Sequence, residues 1–196
     1  MPKVSQEYRD ARRAEILAAA RRCFVRNGFH ETSMQDVFAE SKLSAGAVYR
    51  YFPSKDEMIL AIAEENLRDV IAVIHAEAAQ PHSDGVGATV ARALDVVRER
   101  TASDAVGPIA LLVWAEAVRS PDLARRFEAL LAPMRTDLAE LVVTRQREAA
   151  LPGAADPDGT AALLLAVVSG YILQLTLFGP DAVASVPAAL RTVIPG

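Results

Sequence analysis

The chain contains 196 residues, of which 52% are hydrophobic, and its mean hydropathy is +0.17. That composition excludes a largely disordered protein and leaves room for one large helical domain or two small ones. The net charge of −4 argues against a protein that is basic throughout, but the charge is uneven. Residues 1–55 hold ten Lys/Arg and six Asp/Glu, a net +4, whereas residues 56–196 carry a net −8. The N-terminal part is therefore the candidate for contacting an anionic partner.

The first predicted helix runs from about Arg9 to Arg26, after a frayed arm at residues 1–8. Its apolar positions recur at helical spacing, and Gly28 is placed to end it as a C′ glycine. Ala and Leu outnumber the β-branched residues along the whole chain, and Gly and Pro cluster at a few points. The sequence therefore predicts an all-α protein.

Residues 33–52 predict two short helices joined by a tight turn. Thr32 or Ser33 caps the first helix, because each is an N-cap residue type with a polar partner three positions on. Ser44 caps the second helix, which we expect to continue to Tyr51. This arrangement is typical of a helix-turn-helix, in which the second helix enters the major groove of DNA.

The first turn of that second helix carries almost no side chain. It reads Ala45-Gly46-Ala47, although glycine inside a helix costs about 1 kcal/mol relative to alanine. Glycine there favours a close approach of a large partner to the backbone, and residue types suited to phosphate surround it. The alternative is an ordinary helical hairpin with a basic rim. The candidate DNA contacts are Thr32, Ser33, Lys42, Ser44, Ala45, Gly46, Tyr49, Arg50, Tyr51 and Lys55.

Over residues 10–62 the chain resembles the DNA-binding domain of the tetracycline-repressor (TetR) family. The resemblance is carried by Asn27-Gly28-Phe29, Glu31-Thr32-Ser33, Asp36-Val37, Ser44-Ala45-Gly46, Tyr49-Arg50-Tyr51-Phe52 and Lys55. The chain departs from the family where Lys42 replaces a frequent glycine and Ala47 replaces a frequent threonine. The resemblance implies a three-helix DNA-binding domain at residues 1–55, followed by a helical ligand-binding and dimerisation bundle at residues 56–196.

Helices are also predicted throughout the second part of the chain. They are expected from Lys55 to Ala79, from about Gly85 to Arg100, from Ala105 to Arg119 with Ser103-Asp104 as the cap, from Ser120 to Ala149, from Asp156 to Gly179, and from Ala182 to Val193. The family resemblance implies that the first of these helices links the two domains mechanically.

Residues 159–180 contain no charged residue and are long enough to span a membrane. Both flanks are acidic and lack Lys or Arg anchors, which favours a helix buried in protein and no membrane contact. This helix and the last one have more apolar surface than one domain covers. A homodimer through the last two helices is therefore predicted, and the family resemblance implies the same interface.

No catalytic or metal-binding constellation is recognisable in the sequence. His30, His75 and His82 lack metal-ligand spacing, and Cys23 is the one cysteine, so no internal disulfide can form. Neither a G-x-S-x-G nor a Walker A motif occurs. The prediction is a protein without enzymatic activity, metal or cofactor. No apolar signal segment is visible, which favours a cytoplasmic location.

The sequence thus predicts a DNA-binding transcriptional regulator that binds a palindromic operator as a dimer and is released by a small molecule. Repression is the family's usual mode. An apolar or aromatic effector would fit the candidate pocket residues, although each also suits a plain core. Two alternatives remain open: a protein-docking module without a ligand, and a small-molecule carrier with a non-functional helix-turn-helix. The candidate pocket residues are Trp114, Phe127, Met134, Tyr171 and Leu175.

Overall fold

The computed structural model describes residues 5–78, 85–148 and 156–194. Within these ranges the chain is helical and contains no strand, which confirms the all-α prediction. The helices are α1 (Gln6–Asn27), α2 (Met34–Ser41), α3 (Ala45–Tyr49), α4 (Lys55–Ala78), α5 (Val86–Asp104), α6 (Val106–Arg119), α7 (Pro121–Arg147), α8 (Pro157–Phe178) and α9 (Val186–Val193), with a 3-10 turn at Pro180–Val183. The predicted ends at residues 79 and 149 lie outside the described residues.

Side-chain caps begin several helices where the sequence predicts them. Each capping oxygen accepts a hydrogen bond from the backbone N–H three residues on, at 2.9 to 3.3 Å, and so satisfies one of the free N–H groups of the first turn. The capping residues are Ser33 for α2, Ser44 for α3, Ser54 for α4, Ser120 for α7 and Asp156 for α8.

Two predicted boundaries in the N-terminal part are wrong by a few residues. α1 begins at Gln6 because the Ser5 hydroxyl accepts the Tyr8 N–H at 3.2 Å, so the helix takes up part of the expected arm. α3 ends at Tyr49, two residues early, because the amides of Tyr51 and Phe52 turn back onto one carbonyl oxygen, that of Val48.

The junction between α5 and α6 also differs from the prediction. α5 continues past Arg100 to Asp104, and the Ser103 hydroxyl donates to the Asp104 carboxylate and does not cap α6. Ala105 makes the turn in a left-handed conformation, with φ at +56°. The axes of the two helices consequently differ by 94°. The last predicted helix is likewise divided, into the 3-10 turn and α9.

The N-terminal core forms where α1, α2 and α3 pack against the start of α4. Phe24 of α1, Val37 of α2, Val48 of α3 and Met58 of α4 are fully buried in it. The first turns of α4 therefore complete the core of the N-terminal helices, while the later turns of α4 belong to a second core. The division of the chain at residue 55 stays a prediction.

The second core is built by α4, α5, α7, α8 and α9. α9 lies unusually close to α5, because the Gly87 N–H of α5 donates to the Ile194 carbonyl at 3.2 Å. A side chain at Gly87 would overlap the carbonyl oxygens of Leu190 and Ile194. The apolar side of α9 is thereby held against its own chain, with Leu190 buried.

α8 has two apolar faces. Its inner face packs in the second core and comprises Ala161, Leu164, Val168, Tyr171, Ile172 and Leu175. Its outer stripe lies toward solvent and comprises Leu163, Ala166, Gly170, Leu173 and Leu177. α8 is long and apolar enough to span a membrane, but core helices of soluble proteins also meet that criterion. Burial of the inner face agrees with the expectation of a helix packed in protein.

Gly87→Ala should lower the free energy of unfolding by about 1–3 kcal/mol, because the added methyl group displaces α9 from α5. Urea denaturation followed by circular dichroism measures this change. Gly46→Ala is the matched control, since a Cβ there meets open space. Equal stability of the Gly87→Ala variant and the unmodified protein would contradict the close α5–α9 contact.

Candidate nucleic-acid interface and effector cavity

α2 is fixed in place by two sets of local contacts. Ser33 and Asp36 form a reciprocal cap, in which the Asp36 carboxylate accepts the Ser33 N–H at 2.7 Å. The Asp36 carboxylate accepts hydrogen bonds from the Ser33 N–H and from the Ser33 hydroxyl, and both lower the pKa of Asp36. The bond from the backbone N–H has the larger effect. At the other end of α2, Glu40 accepts hydrogen bonds from Arg22 and Arg26 of α1, which lower the pKa of Glu40. The start of α2 is thus held by its own cap, and its end is tied to α1.

The turn between α2 and α3 depends on a strained residue. Lys42 ends α2 with φ at +57° and ψ at 29°, the left-handed region that non-glycine residues occupy at a cost of about 1–2 kcal/mol. Its N–H reaches the carbonyl oxygens of Ala39 and Phe38, and this closes the turn. The side chain of Lys42 stays exposed beside α3.

Six of the predicted DNA contacts share the exposed surface formed by this turn and α3. They are Lys42, Ser44, Ala45, Gly46, Tyr49 and Arg50. The Tyr49 ring stands edge-on to Phe38 at 5.4 Å between centroids, which fixes its direction while about half of the residue remains exposed. No neighbouring atom lies within 4 Å of a Cβ built at Gly46, so its backbone is open to a partner.

The other four predicted contacts are less available. Thr32 is 1% exposed, and its hydroxyl donates to the carbonyls of Cys23 and Gly28, so the expected phosphate contact from Thr32 is corrected to a structural role. Ser33 and Tyr51 are half-buried, and the Ser33 hydroxyl already serves the cap. The Lys55 ammonium donates to the Phe29 carbonyl at 2.7 Å and lies over the Phe29 ring. Lys55 therefore helps to hold the loop before α2.

A cavity of about 70 Å³ lies between α4, α5, α6, α7 and α8. The residues around it are apolar apart from Asn66 and Ser169, and none of them is charged. The lining is Ala63, Asn66, Leu67 and Val70 of α4, Val97 of α5, Val106, Ile109, Ala110, Val113 and Trp114 of α6, Phe127, Leu131 and Met134 of α7, and Leu165, Val168, Ser169 and Ile172 of α8.

Three of the five predicted pocket residues line this cavity, namely Trp114, Phe127 and Met134. Tyr171 and Leu175 do not line the cavity. They lie on the adjacent face of α8 and pack in the second core, where they are 2% and 7% exposed. Burial raises the pKa of the Tyr171 hydroxyl above its ordinary value. Their assignment to the pocket is therefore corrected.

The cavity shares a wall with the N-terminal core. Ile109 and Val113 of α6 are fully buried among the side chains of that core, and both also line the cavity. Ala63 of α4 does the same from the other side. A change in the width of the cavity would consequently act on the N-terminal core, in which α6 packs against α1.

A polar contact also joins α6 to the loop before α2. The Nε2 atom of His30 lies 2.8 Å from the Glu116 carboxylate and 2.9 Å from a nitrogen of Arg119. The His30 Nε2 atom donates to Glu116 when it carries a proton, and it accepts from Arg119 when it carries none. Glu116, only 8% exposed, is thereby partnered and lies outside the cavity lining.

Comparison with known families connects these features. The family model for bacterial regulatory proteins of the tetR family matches residues 16–62, and that for the C-terminal part of BetI-type transcriptional repressors matches residues 88–194. The chain belongs to the TetR family. This TetR-family member carries the helix-turn-helix within the first match and most of the cavity lining within the second.

Two relatives support the same conclusion. The HTH-type transcriptional regulator UidR of Escherichia coli K12 is 30% identical over 193 residues, which covers 94% of this chain and 91% of UidR. YfiR of Bacillus subtilis, an uncharacterized HTH-type transcriptional regulator, is 35% identical over 133 residues, covering 65% of this chain and 63% of YfiR. The chain thus matches less than two thirds of the length of YfiR. This protein, like the two relatives, is a DNA-binding transcriptional regulator.

Solved structures share the architecture. Salmonella enterica GusR has a TM-score of 0.81 at 26% identity, covering 97% of this chain and 96% of GusR. Bacillus subtilis FadR in complex with stearoyl-CoA has a TM-score of 0.76 at 14% identity, covering 92% of this chain and 97% of FadR. A Saccharomonospora viridis regulator in complex with choline has a TM-score of 0.70 at 21% identity, covering 93% of this chain and 95% of the regulator. The last two support the fold alone.

Gly46→Ala should separate stability from DNA affinity. Because alanine favours the helix and the site is open, the free energy of unfolding should rise by a few tenths to about 1 kcal/mol. The methyl group should weaken DNA binding if the backbone approaches the groove closely. Denaturation and fluorescence anisotropy with labelled DNA measure the two effects, and unchanged affinity would contradict the close approach.

Lys42→Gly and Lys42→Ala separate backbone strain from charge. Both variants lose the same cation, so the slope of log affinity against log salt concentration should fall by about one in each if Lys42 contacts a phosphate. Only glycine relieves the left-handed strain, so Lys42→Gly should be more stable than Lys42→Ala by about 1 kcal/mol. Equal stability would show that the turn stores no strain.

Proposed function

We propose that this protein is a cytoplasmic, ligand-released repressor that binds a palindromic operator as a homodimer and has no enzymatic activity. The observation that carries the proposal is the shared wall, since Ile109 and Val113 touch both the cavity and the core behind the helix-turn-helix. Occupancy of the cavity can therefore change the position of the DNA-binding helices. The alternatives of a carrier or a docking module lack such support from the relatives, which are named as transcriptional regulators.

The DNA contacts in this proposal come from the exposed residues of the turn and α3. Lys42, Tyr49 and Arg50 supply phosphate contacts, and Ser44 with Ala45-Gly46 lets the helix approach the groove. Few long polar side chains are available for base edges, so part of the specificity is expected from DNA shape. Ser33, Tyr51 and Lys55 have supporting roles, since their polar atoms or rings already serve the local fold.

The proposed dimer interface centres on the outer stripe of α8. Its residues recur at intervals of three and four, the spacing at which two helices pack along a common seam. Gly170 in the middle has open space around its Cβ position, which permits close approach of a partner helix. Because the inner side of α9 is held against α5, α9 contributes its outer side, where Val193 is 76% exposed. This interface refines the predicted packing through the last two helices.

The size and lining of the cavity support a small, mostly apolar effector. A cavity of about 70 Å³ is smaller than the roughly 150 Å³ that accommodates benzene in an engineered apolar site. An effector of drug-like size must therefore push the helices apart, and α4 and α6 would transmit that movement. The ligands of FadR and the choline-binding regulator differ in chemistry, so they support small molecules as a class and no particular compound.

Selection of bound sites from random duplex DNA at two salt concentrations tests DNA recognition. A palindromic site that persists at the higher salt concentration is expected, with half-sites about 34–36 Å apart or a multiple of that spacing. Patternless, salt-sensitive DNA would contradict sequence-specific binding and favour the carrier or docking alternative. The selected site then serves as the probe for release by ligands.

Leu173→Glu should convert the dimer to a monomer, because two carboxylates would face each other in the apolar seam. Analytical ultracentrifugation at micromolar concentration measures the mass, and operator affinity should fall with it. Val118→Glu is the matched control, since Val118 is an apolar residue that is 88% exposed and lies on α6, outside the proposed stripe. A Leu173→Glu variant that remains dimeric would contradict this interface.

A further inference from the structure

One buried amide stands out in the cavity. Asn66 is 6% exposed and lies between the apolar neighbours Ala63, Leu67 and Val70 on the cavity wall of α4. The other polar lining residue, Ser169, is exposed and therefore belongs to the rim. Asn66 is thus the polar group that a molecule would meet deep in the cavity.

The orientation of this amide follows from its neighbour in α1. The Nη1 atom of Arg21 lies 2.9 Å from the Asn66 side-chain oxygen. A guanidinium can only donate hydrogen bonds, so the Asn66 amide oxygen must face Arg21. The NH2 group of the same amide is therefore directed away from Arg21. Among the described residues, none accepts a hydrogen bond from that NH2 group.

Arg21 joins three parts of the chain. Besides Asn66 of α4, its guanidinium donates to the Asp104 carbonyl at 2.6 Å and pairs with Glu65 at 3.5 Å. Asp104 is the last residue of α5, directly before the sharp turn into α6. Burial lowers the pKa of Arg21 below its ordinary value, although arginine stays protonated in proteins. Arg21 therefore couples α1 to the cavity wall and to the α5–α6 turn.

We propose that the Asn66 NH2 group donates a hydrogen bond to an uncharged oxygen acceptor of the effector, and that Arg21 transmits this contact to α1. The effector class is a compact neutral molecule with a ketone, ester or similar carbonyl on an apolar body. This inference rests on the proposed function, because it names the ligand and the regulatory link of that same cavity.

The chemistry of the lining selects this class. A carboxylate or ammonium group in the cavity would lose its water without gaining a charged partner, since no lining residue is charged. A hydrocarbon would leave the Asn66 N–H groups without an acceptor, whereas a carbonyl satisfies one of them. A hydrocarbon analogue should therefore bind more weakly than the carbonyl compound, because it leaves the buried Asn66 NH2 group without an acceptor.

Binding of shape-matched pairs tests the ligand class. Each pair contains a ketone and the alkene in which a methylene group replaces the oxygen: cyclohexanone with methylenecyclohexane, acetophenone with α-methylstyrene, and 2-octanone with 2-methyl-1-octene. Isothermal titration calorimetry on the full-length protein should give at least one ketone an affinity about three- to tenfold above that of its alkene. No preference for the ketone in any pair, including no binding at all, would overturn the proposal.

Two variants of Asn66 locate the preference. Asn66→Leu removes the donor, and Asn66→Asp removes it while keeping an oxygen acceptor for Arg21, so the second variant remains informative if the first is unstable. Both should abolish the ketone preference. Val70→Ala, a change in an apolar lining residue, is the control that should retain it. A preference that survives in Asn66→Asp would contradict the assignment.

Arg21 is tested as a positioning residue through the coupling between ligand and DNA. Arg21→Met should lower the ketone affinity, because the Asn66 amide loses the partner that orients it. With the ketone at saturating concentration, the ratio of operator affinity without and with the ketone should also fall, from about fivefold or more toward one. Arg125→Met is the control, because Arg125 is an exposed arginine that pairs with Asp122 within α7. An unchanged ratio in Arg21→Met would overturn the transmission step.

The outcomes separate this inference from the proposed function. Failure to select any operator contradicts the repressor, whereas a measured ketone preference at Asn66 would still stand. Release from the operator by the alkenes as readily as by the ketones would leave the repressor intact and overturn the role of Asn66.

Discussion

The packing of α6 on two sides is the constraint on which the rest of the structure depends. Ile109 and Val113 fill space in the N-terminal core and at the same time close the cavity between the later helices. α6 can hold this position because Ala105 turns the chain by nearly a right angle after α5. Without that turn, the DNA-binding helices and the cavity would have separate cores, and no shared wall would connect them.

Local chemistry made much of the fold predictable. Ser33 with Asp36, Ser44, and Ser120 followed by proline are capping signals that act within four residues, and each begins a helix where the sequence indicates. The bare first turn of α3 and its exposed neighbours were predictable for the same reason. Signals of this kind need no knowledge of distant contacts.

The features that depend on tertiary contacts were not predictable in the same way. Nothing near Thr32 in the sequence reveals that its hydroxyl turns inward to the end of α1, and Tyr171 resembles any pocket aromatic until the rotation of α8 is known. The cap expected at Ser103 failed because α5 continues for four more residues, and the carbonyl of its last residue, Asp104, accepts a hydrogen bond from Arg21 of α1. Asn66 was missed, although a polar residue on the apolar stripe of α4, in register with Ile59 and Ile62, was a readable signal.

The narrowness of the cavity has a consequence for the concentration at which a cell would respond. If opening it requires work, that work is subtracted from the favourable contacts of the effector, and every 1.4 kcal/mol or so raises the half-saturating concentration about tenfold. A repressor of this kind ignores traces of its effector and reacts once the compound has accumulated. The narrow cavity of about 70 Å³ would then act as a threshold, adjustable by substitutions such as Ala110→Gly that change how tightly the helices meet.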